Sequence, residues 1–150
     1  MTEFTTIKGE VVDAILFSKL MIKNFPCVQI HVGTDSQNYP SYTKYASVIA
    51  YRKGNSGVSF IFSIKTVPKV NDMWTRLWKE AEMSIQLAEL LTKHIHFEVQ
   101  IDMDFNEDQF SKSNVLIGST KGWANSLGYN VNVKPHIQVA TKAADHMIKT

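Results

Sequence analysis

The chain has 150 residues, 44% hydrophobic and 20% charged, which is the composition of a folded globular protein and excludes a disordered or fibrous one. Sixteen Lys and Arg against fourteen Asp and Glu leave a formal charge of +2, too mild to mark a nucleic-acid binder by charge alone. Cys27 is the only cysteine, so an intrachain disulfide is excluded, and no apolar run approaches the ~18 residues of a membrane span. The expectation is a single-domain cytoplasmic protein with no membrane partner.

Val11, Val12, Ile15, Leu16, Leu20 and Met21 recur at helical spacing, which predicts a helix over about Lys8 to Asn24, ended by Pro26. Cys27 to Gln37 then reads CVQIHVGTDSQ, an apolar strand pattern that runs into Gly33 and presents Asp35 near its end. Asp35 shares the His31/Gly33 side, opposite Val28, Ile30 and Val32. Further strands are predicted over Lys44 to Arg52 and Val58 to Thr66, joined through Lys53-Gly54-Asn55-Ser56-Gly57 into an antiparallel meander. A helix follows over Asp72 to Thr92, then an alternating strand from Ile95 to Met103. The rest reads as a helix over Gln109 to Leu127 closed by Gly128, a short strand from Tyr129 to Val133, and a last helix after Pro135. The order α-βββ-α-β-α-β-α predicts an α/β fold, a mixed sheet with helices on both faces.

Four acids stand out on this frame. On the Asp72 to Thr92 helix, Arg76, Lys79, Glu82, Gln86, Glu89 and Lys93 fall mostly on the outer side, whereas Glu80 falls on the flank that faces the sheet. A buried carboxylate there costs several kcal/mol unless it is paired or binds a metal. The fourth strand ends IDMDFN, with Asp102 and Asp104 on one face at the end where ligands of open α/β sheets gather. Asp145 lies at the margin of the apolar stripe Ile137, Ala140, Ala144, Met147, Ile148. Each acid also has a plain reading, as a turn former, an ion-pair partner or a solvated strand or helix end.

Taken together these residues resemble the RNase H-like nucleases, and locally the bacterial YkuK-type group of predicted RNase H-related nucleases. The resemblance is carried by GTDSQ (Gly33 to Gln37), WKEAEMS (Trp78 to Ser84), IDMDFN (Ile101 to Asn106), KGWANSLGY (Lys121 to Tyr129) and KPHIQVATKAADH (Lys134 to His146). It implies a five-stranded sheet in the order 3-2-1-4-5, with residues 1–26 as a helical extension outside the shared core. It puts Asp35, Glu80, Asp102 and Asp145 in catalytic, metal-binding roles, with Asp104 an unexpected second acid on its strand. Ser36, Gln37, Lys121, Lys134 and Lys142 accompany the matched segments as candidates for substrate contact.

Carboxylates without a His or Cys cluster favour a hard ion, Mg²⁺ or Mn²⁺, over zinc. The resemblance implies two such ions about 3.5–4 Å apart hydrolysing a phosphodiester, with Asp35 bridging, Asp102 and Glu80 on the leaving-group side and Asp145 on the water side. The expected partner is nucleic acid, with RNA of RNA–DNA hybrids or structured RNA as the default substrate by analogy. Arg52, Lys53, Lys65 and Lys69 are possible phosphate contacts, Tyr39 and Tyr42 possible stacking platforms, and Trp74 and Trp78 core residues. His94 and His96, at same-face spacing on the fourth strand, lack a second ligand pair for zinc. His146 reads as a helix-surface residue. The alternative function is a non-catalytic nucleic-acid or protein-binding module that keeps the fold; the oligomeric state is left open.

Overall fold

The computed structural model of the chain describes residues 2–106, 111–134 and 139–148. The chain opens on a hairpin rather than a helix: β1 (Glu3–Thr6) and β2 (Val11–Asp13) pair antiparallel, with Phe4 opposite Val12. Gly9, at φ +87°, makes the turn, a backbone conformation other residues enter only at a cost. Val11 and Val12 fit a helical spacing, but β-branched residues beside such a turn favour extended backbone. The expected helix from Lys8 is therefore corrected to α1 (Ala14–Asn24).

Asp13 sets that start. Its carboxylate accepts hydrogen bonds from Ile15 N and Leu16 N at 3.0 Å and from Thr2 Oγ1 at 2.6 Å. These bonds, Thr2 first, hold the Asp13 carboxyl below its usual range. A depressed folded-state pKa contributes stability that is fully present above the unfolded value and is lost as pH falls through the folded one. Asp13→Asn is therefore expected to lower the melting temperature at pH 6 and to narrow its gap to wild type as pH falls below about 4, which a pH series of thermal melts reads directly.

Ser18 and Tyr51 share a buried hydrogen bond of 2.6 Å beneath α1. Burial pushes the Tyr51 phenol up, and the Ser18 bond opposes this only in part. α1 thus covers one end of the sheet.

β3 (Gln29–Asn38), β4 (Tyr42–Arg52) and β5 (Val58–Pro68) form the expected antiparallel meander, with a 3-10 turn at Gly54–Ser56 between the last two. α2 (Met73–Ile95) starts at Asp72, whose side chain caps Thr75 N at 3.0 Å. It runs on to a left-handed cap at His96, φ +49°. His94 and His96 are therefore not strand neighbours: one lies in the last helical turn and the other is the cap.

β6 (Val99–Asn106), α3 (Ser111–Ser126), β7 (Asn130–Lys134) and α4 (Val139–Ile148) complete the chain. Gly128, at φ +90°, follows α3 as the spacing predicts.

The sheet order is β2-β1-β5-β4-β3-β6-β7, with β3-β6 and β6-β7 parallel. Five of these strands follow the expected 3-2-1-4-5 order. The sheet nevertheless has seven strands, because β1 adds to the free edge of β5 through Thr5–Phe62 and Thr6–Ile61. An edge left open would expose a row of unpaired backbone groups, and the hairpin covers it.

The larger core lies under α1, α2 and α3, with Ile30, Val32, Ile49, Ile61, Ile85, Leu91 and Ile101 fully buried. A smaller one packs Ala140, Ala144 and Ile148 of α4 on Ala46, Val48 and Ala50. The alanines let α4 lie close to the strands. Among the described residues no helix is long and apolar enough to cross a membrane.

Candidate active site

β3 carries polar groups to both faces of the sheet. Thr34 and Ser36 point toward α2, while His31 and Asp35 point toward α4, because strand side chains alternate. On the α2 face, Glu80 is 4% exposed, on the sheet-facing flank where the helical spacing places it, and its Oε2 accepts a short hydrogen bond from Ser36 Oγ. One turn on, Ser84 Oγ donates to Thr34 Oγ1, which also shares a bond with Ser47 Oγ, each 3.1 Å. Helix positions one turn apart meet strand positions two residues apart, so α2 is docked on β3 by hydroxyls as well as by apolar contact. The Ser36 hydroxyl is engaged here with Glu80, while Gln37 is exposed.

Tyr45, paired with Ser36 across the ladder, is 2% exposed. Its phenol is pushed up by burial first and then by the negative charge of Glu80, with Arg76 opposing. Arg76, assigned by helical spacing to the outer side, therefore lies near Tyr45, and its Nε is buried without a hydrogen-bond partner among the described residues. The signal for it was its spacing four residues before Glu80, which puts the pair on one flank.

On the opposite face, Asp102 is 1% exposed and, among the described residues, holds three donors. His31 Nδ1 gives Oδ1 a bond of 3.1 Å, Asn132 Nδ2 gives Oδ1 one of 2.9 Å, and Ala140 N gives Oδ2 one of 2.7 Å. Asp102 thus ties β6 to β3, to β7 and to the first turn of α4, where a carboxylate is favoured by the exposed amides and the helix dipole. The other end of α4 is pinned too: Ile148 O accepts from Tyr39 Oη at 3.2 Å and from Lys44 Nζ at 3.5 Å.

Between these pins α4 travels alongside β3. Ala140 lies at the level of Gly33, which pairs with Asp102, and Ile148 at the level of Gln37, which pairs with Lys44. The helical span is about 12 Å and the strand span about 13 Å, so the turn that carries Asp145 passes the level of Asp35. Asp104 is two residues beyond Asp102 on β6, as Asp35 is two beyond Gly33 on β3, but the β6 register against β7 shifts between Met103 and Asn106. The side chains of Asp104, Lys134, Lys142 and Asp145 lie outside the described residues.

Among the described residues, the β3–β6 ladder ends at Gly33–Asp102, and no group of three His, Cys, Asp or Glu side chains is placed to hold a metal ion. Glu80 meets β3 on the α2 face, whereas Asp102 is engaged on the α4 face. What suits a hard dication is the all-oxygen chemistry of the acids, together with the passage of the Asp145 turn at the level of Asp35.

The other sequence candidates separate. Arg52 and Lys53 lie at the opposite end of the strands, where Arg52 pairs with Gln29 and Lys53 sits 5.1 Å from the Phe25 ring. Tyr39 and Tyr42 stack on each other at 4.8 Å. Trp74 packs on the core, but Trp78 is 39% exposed and stacks on Trp123 at 5.6 Å, which corrects its assignment to the core. Lys121 is half-buried on α3, and His146 is exposed.

A family model described as Ribonuclease H-like matches residues 13–149. The chain belongs to the Ribonuclease H-like family. No curated protein matches it. Membership spans everything from the Asp13 cap through α4, and leaves β1 and most of β2 outside the match. A Ribonuclease H-like chain has a nuclease-like fold and, by that kinship, nucleic acid as its expected partner.

Proposed function

We propose that this Ribonuclease H-like protein is a divalent-metal-dependent nuclease that hydrolyses phosphodiester bonds, with Asp35 at its centre. The observation that supports the reading is that α4 runs alongside β3 beyond the last β3–β6 pair, so that the turn carrying Asp145 passes the level of Asp35, with Asp104 on the same end of β6. Glu80 approaches from the other face at the adjacent Ser36. Asp35, Asp104 and Asp145, with Glu80 from across the strand, are the proposed holders of Mg²⁺ or Mn²⁺. Asp102, with both oxygens already engaged, is proposed to fix α4 in place rather than to bind the ions.

Two bound dications would supply the charge that generates hydroxide near neutral pH and stabilises the leaving oxygen. The chain's own part is to hold the carboxylates in place. Ser36 orients Glu80, and Asp102 orients the helix that carries Asp145. Gln37, Lys121, Lys134 and Lys142 are the proposed contacts to substrate backbone. RNA in an RNA–DNA hybrid or structured RNA remains the substrate proposed by analogy, and the YkuK-type motifs support a bacterial nuclease of that group.

The test is cleavage of labelled RNA, DNA and hybrid with Mg²⁺, with Mn²⁺ and with EDTA. Metal-dependent cleavage is expected on at least one substrate. A second reading, a non-catalytic binding module, is favoured by the engagement of Asp102 with three donors and by the lack of a metal-holding trio among the described residues. It predicts binding without cleavage in every metal.

A further inference from the structure

Beside Glu80, on the α2 face, a cleft of about 320 Å³ opens between the first half of α2 and strands β4 and β5. Tyr45, Val67, Trp78 and Met83 give it apolar and aromatic walls, and Lys65 and Lys79 stand at its margin. Ser36, Tyr45 and Lys65 are register partners across β3, β4 and β5, so they form one row on this face. Tyr45 is the wall common to the cleft and to Glu80, whose charge it feels. The indole of Trp78 is backed by that of Trp123, with 13° between the rings, and still keeps 39% of its surface open. Lys79 Nζ is paired with Glu82 Oε1 at 2.8 Å, whereas Lys65 has no ion-pair partner among the described residues.

A fixed aromatic wall with a cation beside it is the chemistry that holds a base and its phosphate without reading sequence. The volume is at the low end of small-ligand sites, which matches one nucleotide rather than a paired helix. We propose that this cleft holds an unpaired nucleobase of a single-stranded nucleic acid, stacked at Trp78, with its phosphate on Lys65. The proposal rests on the nuclease reading and deepens it: Tyr45 joins the cleft to Glu80, so unpaired or locally opened segments within the substrate are the parts held here.

The test uses the full chain in EDTA, where no metal-dependent cleavage can interfere. The probes are a fluorescein-labelled oligothymidylate of about twelve nucleotides and a duplex of the same length, followed by anisotropy. Trp78→Ala and Lys65→Glu are each expected to weaken single-strand binding about tenfold and to leave duplex binding within about twofold. Lys65 is exposed on a strand, so its variant decides the matter if Trp78→Ala fails to fold. Wild-type affinity in folded variants, equal loss on both probes, or no single-strand binding by the wild type overturns the proposal. Asp35→Asn, measured alongside, is expected to keep single-strand affinity. Absence of metal-dependent cleavage then counts against the nuclease reading, while the binding data judge the cleft by themselves.

Discussion

Asp35→Asn is expected to abolish metal-dependent cleavage, by about a thousandfold or more, while the protein folds as the wild type does. One carboxylate oxygen exchanged for an amide removes a full negative charge from the position on β3 whose level the turn carrying Asp145 passes. Losing a single well-placed electrostatic group at a reacting centre commonly costs about 10²–10³ in rate, and loss of an ion would cost more. Folding has little to lose. Asp35 is partly exposed, and the bond from Ser36 N to its Oδ1 at 2.9 Å can be kept by the amide oxygen. In EDTA the variant is expected to melt at or slightly above the wild-type temperature, because the proposed set of ligands loses one negative charge. Added Mg²⁺ or Mn²⁺ should raise the melting temperature of the wild type and not that of the variant, since only a ligand bound to the native state stabilises it. Unchanged cleavage by Asp35→Asn on every substrate would end the nuclease reading.

Much of this was legible in the chain because the signals were local. The alternation from Val28 to Asp35 and the run of β-branched and aromatic residues from Val58 to Thr66 decide strands by themselves. The 3.6-residue period decides that Glu80 faces the sheet. The N-terminal hairpin was missed because Val11, Val12, Ile15 and Leu16 satisfy a helical period while Gly9 and Asp13, the turn and the cap, cut that run in two. Pairing of β1 with β5 is a long-range contact that no local period encodes. The hydrogen bonds of Asp102 were hidden for the same reason: its partners His31, Asn132 and Ala140 come from three other elements. A period of two says which face a residue takes, but not whether a helix terminus waits there. Arg76 was misplaced because a long side chain on a helix flank reaches further than its Cβ direction suggests.

Asp102→Ala is expected to destabilise the fold by several kcal/mol, because each buried donor left without its acceptor costs about 1–3 kcal/mol. The methyl leaves His31 Nδ1, Asn132 Nδ2 and Ala140 N without the acceptor they share, and among the described residues His31 Nε2 is already buried without one. Asn132 keeps its bond to Gln100 Oε1 at 3.1 Å. Against a total of about 5–15 kcal/mol this is a large fraction. Asp102→Asn keeps one acceptor oxygen but turns an amide toward a donor, and is expected to cost about 1–3 kcal/mol. Urea titration in EDTA measures both, with Asp35→Asn as the reference that loses activity without losing stability. The two acids then separate by behaviour: one variant inactive and stable, the other unstable before any metal is added. Should Asp102→Asn instead match the wild type in EDTA and lose only the stabilisation by Mg²⁺, Asp102 is an ion ligand, and the bonds it makes to α4 are incidental to its role.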